Sequence, residues 1–144
     1  ARLGTAFASL CKHNYRNKEK FIEISVQIQK LDDYIRINKI EKVNFIKIDV
    51  EGGELLVLKG SENTLKKFSP IIMLEIQEYH TKFFGYTPVD LINYLEYFGY
   101  YLFEIKKDKI GILKKVRNFN DTENFNFLAV KNSDVLSNYV VTIE

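Results

Sequence analysis

The chain has 144 residues, with 21 Lys and Arg against 19 Asp and Glu and a formal net charge of +2. Its 46% hydrophobic and 14% aromatic content is that of one folded domain with a real core, which excludes a disordered chain. Seven glycines, two prolines and no sustained heptads exclude collagen-like, low-complexity and coiled-coil architectures.

The single Cys11 cannot form an internal disulfide, so the expectation is a reducing, cytoplasmic compartment rather than a secreted scaffold. No apolar run approaches the roughly 20 residues of a membrane helix, and no signal peptide is read at the start. The basic residues are scattered, whereas a nucleic-acid footprint is a clustered basic face. The chain opens on Ala1 rather than Met, and its first ten residues do not read as a domain start. The back part of a longer protein is one explanation.

In chain order, Phe21 to Ile28 alternates apolar and polar residues, the pattern of a strand with one buried face. The stretch from Leu31 to Ile35 follows with two aspartates, one of which can cap a short helix. Val43 to Val50 is apolar nearly throughout, as a strand covered on both faces should be, and Pro70 to Ile76 is a second such strand. Between them, Leu55, Leu58, Leu65 and Phe68 share a helical face, with a break at Gly60-Ser61 where glycine ends one helix and serine caps the next. Strand, helix, strand at this spacing is a βαβ unit around a parallel pair.

Thr87-Pro88-Val89-Asp90 starts another helix, with Leu91, Leu95 and Phe98 as its buried stripe and Gly99 as its end. Tyr100 to Lys106 and Ile110 to Lys115 then read as strands around a turn at 107–109, and Phe125 to Lys131 as a closing strand after a polar loop. The order predicts a mixed α/β sheet with an antiparallel C-terminal edge, in one domain over residues 1–144.

The densest polar cluster is Asp49-Val50-Glu51-Gly52-Gly53-Glu54, at the carboxyl end of a strand, where open α/β sheets bind ligands. Its two glycines allow a sharp turn and a close approach to the backbone. The plainer reading is three acids complementing a helix dipole. Glu75 near the end of the next strand needs a partner or a rim position, and Lys47 on the neighbouring strand could supply the partner. Gln77, Glu78 and His80 extend into the same crevice, and a histidine titrates near neutrality, as a general base should. A loop histidine is, more blandly, a surface residue. His13 and Cys11 have no distinctive setting, and the aromatic residues from Phe83 to Tyr101 read as core before they read as a pocket. The sequence has no G-x-G-x-x-G, G-x-x-x-x-G-K-[ST] or H-E-x-x-H motif and no paired cysteines.

The run from Phe45 to Leu55, FIKIDVEGGEL, followed by Leu58-Lys59-Gly60 and by Pro70 to Ile76, PIIMLEI, resembles FkbM-type methyltransferases. Ala8-Ser9-Leu10 and the LDDYI stretch from Leu31 to Ile35 resemble that family's approach to its acidic motif. The resemblance covers most of residues 8–76 and implies an S-adenosylmethionine-dependent O-methyltransferase on a Rossmann-like sheet, acting on a sugar or natural-product hydroxyl. It matches Asp49 to the acid after the family's fourth strand and Glu75 to the acid in its fifth. The family's earlier glycine-rich turn and ribose-binding acid have no counterpart here, so the chain is expected to be the C-terminal part of such a domain, inactive alone.

On this reading Asp49 and His80 are the catalytic candidates, with His80 as base, Glu51 lines the cofactor side, and Glu75 and Glu78 face the substrate. A Mg²⁺ ion held by carboxylates could replace the base, but the acids lack a recognisable ligand spacing and a metal-free route is favoured. The partner is a small-molecule or glycan hydroxyl acceptor, with no nucleic acid, no membrane span and an open oligomeric state. The alternative is a non-catalytic α/β module that binds a partner and keeps only the scaffold.

Overall fold

The computed structural model of the chain describes residues 24–106, 112–132 and 142–143, with Leu10 and Leu136 besides. The elements are α1 (Leu31–Ile37), β1 (Phe45–Ile48), α2 (Glu54–Lys59), α3 (Glu62–Phe68), β2 (Ile71–Glu75), α4 (Glu78–Thr81), α5 (Pro88–Tyr97), β3 (Tyr101–Ile105), β4 (Ile112–Lys115), β5 (Asn126–Val130) and β6 (Thr142–Ile143). Short 3-10 turns at Lys82–Phe84 and Phe119–Asp121 complete the set.

The six strands form one sheet in the order β1-β2-β5-β3-β4-β6. β1 and β2 are parallel, with Phe45 opposite Ile71 and Ile48 opposite Leu74. β5 then inserts antiparallel between β2 and β3, and β3 pairs antiparallel with β4. The expected mixed sheet with an antiparallel C-terminal part is therefore present. The last long strand, however, closes the middle of the sheet rather than its end, and a short parallel β6 was not anticipated.

Side-chain alternation divides the sheet into two faces. Ile72, Leu74 and Ile76, with Phe127, Ala129 and Leu102, pack in one buried cluster with Leu58 and Leu65 of α2 and α3 and with Leu91 and Leu95 of α5. The opposite face carries a smaller cluster of Phe103, Leu113, Val130 and Leu136, with Ile71, Ile105 and Leu128 packed against it. α5 opens as its sequence predicts: the Thr87 hydroxyl accepts from the Asp90 N–H, and Asp90 accepts from the Thr87 N–H at 2.8 Å.

Three expectations need correction. Residues 24–30 have no regular structure, and Ile24, Val26 and Ile28 are exposed; the alternating segment meets no partner strand among the described residues, and alternation alone makes no ladder. Its first part, 21–23, and the turn at 107–109 lie outside the described residues. The Val43 to Val50 strand is not covered on both faces: β1 is an edge of the described sheet and Phe45 is 52% exposed.

The third correction concerns capping. Asp32 does not cap its own helix, which starts after Lys30 with no side-chain cap. Its carboxylate reaches α3, where Oδ2 accepts from the Asn63 N–H and Oδ1 from the Thr64 N–H, both at 2.9 Å. Ser61, the expected cap of α3, instead donates its hydroxyl to the Val57 carbonyl at 2.5 Å.

Candidate functional site

The parallel pair places Asp49 and Glu75 one residue beyond the Ile48–Leu74 register, at neighbouring strand ends. Asp49 is exposed and its Oδ2 lies 2.8 Å from the Lys47 ammonium. That hydrogen bond and the Asp49 charge, with a smaller contribution from Glu75, push the lysine pKa up. Lys47 thus serves Asp49 first and Glu75 only at longer range. Glu75, half-buried, accepts instead from the Gln77 side-chain amide at 2.6 Å. Glu78 is exposed in the first turn of α4.

After Asp49 the chain turns through two residues of positive φ, Glu51 at +53° and Gly52 at +103°. The first is unusual for a residue with a side chain and carries backbone strain. A Cβ at Gly52 would sit 2.7 Å from the His80 carbonyl oxygen and 2.9 Å from the Phe84 ring, so the position admits only glycine. The close approach expected at these glycines is real, but the neighbour is this chain's own α4 backbone.

The consequence is a pairing of the two loops. Glu51 Oε2 lies 2.8 Å from His80 Nδ1, with the side chains only 21% and 12% exposed. The contact is an ion-pair distance between a carboxylate and a ring nitrogen, and a proton held on Nδ1 would leave the Nε2 lone pair for a substrate. Tyr79 meets the His80 ring edge-on at 5.4 Å between centroids and the Phe83 ring at 5.5 Å. Asp49, Glu51, Glu75, Glu78 and His80 therefore all lie at the carboxyl ends of β1 and β2, and the structure joins Glu51 directly to His80.

Sequence reasoning missed two residues here. Glu54, read only as one of three acids at a helix start, is 1% exposed and accepts from the Gly52 N–H at 3.0 Å. Tyr86, in the turn before α5, places its hydroxyl 2.9 Å from Glu54 Oε2 and 2.8 Å from the Gly52 carbonyl oxygen. The tight turn signalled a need for anchoring, but nothing local to either residue identified its partner.

Among the described residues, no group of three or more His, Cys, Asp or Glu side chains is arranged to hold a metal ion, and no helix is long and apolar enough to cross a membrane. A groove of about 570 Å³ between α1 and α3 and one of about 410 Å³ beside β4 border none of the strand-end residues. The family model described as the Methyltransferase FkbM domain matches residues 4–102, more than half of the chain. No curated protein and no solved structure matches it.

Proposed function

From the premise that this chain belongs to the FkbM methyltransferase family, we propose that it is the C-terminal part of an S-adenosylmethionine-dependent O-methyltransferase whose acceptor is a sugar or natural-product hydroxyl. The single observation that carries the reading is the Glu51–His80 pair at the carboxyl ends of two parallel strands. When bound, S-adenosylmethionine supplies an electrophilic methyl group on a cationic sulfonium. The residues present fit one side of that group, since Glu51 sets a carboxylate at the strand end beside an Asp49 that is paired with Lys47. The glycine-rich turn and ribose-binding acid that the adenosyl part requires are assigned to sequence upstream of this chain.

His80 Nε2 takes the proton of the acceptor hydroxyl, and Glu51, on Nδ1, fixes the ring and balances the charge that the imidazolium gains. Glu51 is thereby a tether for the base as well as an acid facing the cofactor side. Asp49 orients the acceptor at the floor of the site, with Glu75 and Glu78 on the substrate side. The Tyr79 ring, edge-on to His80 and with the Lys82 ammonium 4.5 Å over it, forms an aromatic wall beside the base. The partial-domain reading accords with β1, a parallel strand at the edge of the described sheet with Phe45 exposed, which a further parallel strand and a covering layer would complete.

Calorimetric titration of S-adenosylmethionine tests this reading. The chain extended by the upstream part of its reading frame is expected to bind saturably, and the 144-residue chain alone is not. Saturable binding by the chain alone would overturn the partial-domain assignment, and no binding by either form would overturn the cofactor.

A further inference from the structure

The turn that carries Glu51 is held by a network that the proposed proton transfer does not itself use. Gly52 meets the network at both backbone groups: its N–H donates to Glu54 Oε1 at 3.0 Å, and its carbonyl oxygen lies 2.8 Å from the Tyr86 hydroxyl, whose one proton it shares with Glu54 Oε2. The same hydroxyl lies 2.9 Å from Glu54 Oε2, and the Leu55 N–H points at it from 3.4 Å. Glu54 is 1% exposed. Burying a carboxylate and a phenol to close one turn is a poor route to stability, because apolar side chains of similar size usually do as well. What the network fixes is direction. Glu51 precedes Gly52, so rotation of the Gly52 peptide would swing the Glu51 side chain off His80 Nδ1.

We propose that Tyr86 and Glu54 are positioning residues for His80, clamping the Gly52 peptide so that Glu51 stays on Nδ1 and the imidazole lone pair stays on Nε2. The inference rests on the reading of His80 as the proton acceptor and extends that site to residues on α2 and ahead of α5. The turn also touches His80 from the other end, since Gly52 packs on the His80 carbonyl. A slip of the turn therefore moves both the imidazole's partner and its backbone. Burial, reinforced by the Glu54 charge, holds the Tyr86 phenol far above its ordinary pKa, so it remains a hydroxyl donor at any working pH.

The test is nitrogen-15 NMR of the histidine rings in the 144-residue chain, in mildly alkaline buffer where a histidine ring is neutral. His80→Gln identifies the His80 signals. The expected wild-type result is a single tautomer with a slowly exchanging Nδ1 proton. Tyr86→Phe is expected to stay folded, lose that proton's protection and show a mixture of tautomers. Glu54→Leu, which removes both acceptor oxygens and keeps a side chain of similar reach, should do the same. A folded Tyr86→Phe or Glu54→Leu chain with wild-type His80 signals would overturn the proposal, and so would the unfolding of both, which would make the network a stability device. Glu51→Ala, which removes the carboxylate facing Nδ1, separates the two layers. If it leaves the His80 signals unchanged, the Glu51–His80 reading fails; if it alters them while the other variants do not, only the clamp fails.

Discussion

At Gly52 the backbone conformation and the space around it make the same demand. Its φ of +103° is a region side chains rarely enter, and an added Cβ would meet backbone atoms of His80 at 2.7 and 2.8 Å. Gly52→Ala is therefore expected to cost about 1–3 kcal/mol in urea denaturation. Gly53→Ala, where the nearest atom is a Val50 methyl at 3.4 Å and φ is −86°, should stay within about 0.5 kcal/mol. Equal effects at the two positions would mean that the turn relaxes freely and does not locate His80. Much of this turn was legible in the sequence, because consecutive glycines after an acidic strand end announce a tight turn. The identity of the approaching group was not, since periodicity carries no information on which loop meets which. The same limit hid Tyr86, which is 32 residues from Glu54.

The helices show the difference between local and distant capping. The Thr87–Asp90 box lies within four consecutive residues and could be read directly. α3 is capped from α1, by an Asp32 that lies 31 and 32 residues from the amides it accepts from, so its role emerged only in three dimensions. Burial raises the Asp32 pKa, but the Thr64 hydroxyl at 2.6 Å and the amides of Asn63 and Thr64 outweigh it, and the net shift is downward. A carboxylate lowered on folding stabilises the native state above its unfolded pKa, and that contribution is lost as pH falls through the folded value. Asp32→Ala should thus cost about 0.5–2 kcal/mol near neutrality, the usual range for a lost cap. In thermal melts at decreasing pH, the gap between variant and wild type should close below the ordinary carboxylate range. A gap that persists undiminished into strong acid would mean that Asp32 acts through packing rather than through its charge.

Across the whole molecule, the alternating and continuous apolar runs foretold the parallel pair, the helices between its strands and the antiparallel strands that follow. They did not reveal the strand order, because pairing depends on contacts far apart in sequence: β5 could be recognised as a strand but not as the one between β2 and β3. Two runs that read as buried instead leave apolar side chains exposed, at Ile24, Val26 and Ile28 and at Phe45. Both belong to the β1 side of the described chain or precede it. The site follows the same division. Acids at strand ends were visible as residue types; their assembly into a Glu51–His80 pair with a Glu54–Tyr86 support required the fold.

The most direct measurement of the central claim is methyl transfer by the chain extended with its upstream sequence, run in EDTA with and without His80. The account predicts full activity for the wild type in EDTA. It predicts that His80→Ala lowers kcat by about 10²–10⁴-fold, the usual contribution of a positioned base, with little change in the KM for S-adenosylmethionine. Wild-type turnover by His80→Ala, or activity lost in EDTA and restored by Mg²⁺, would contradict it.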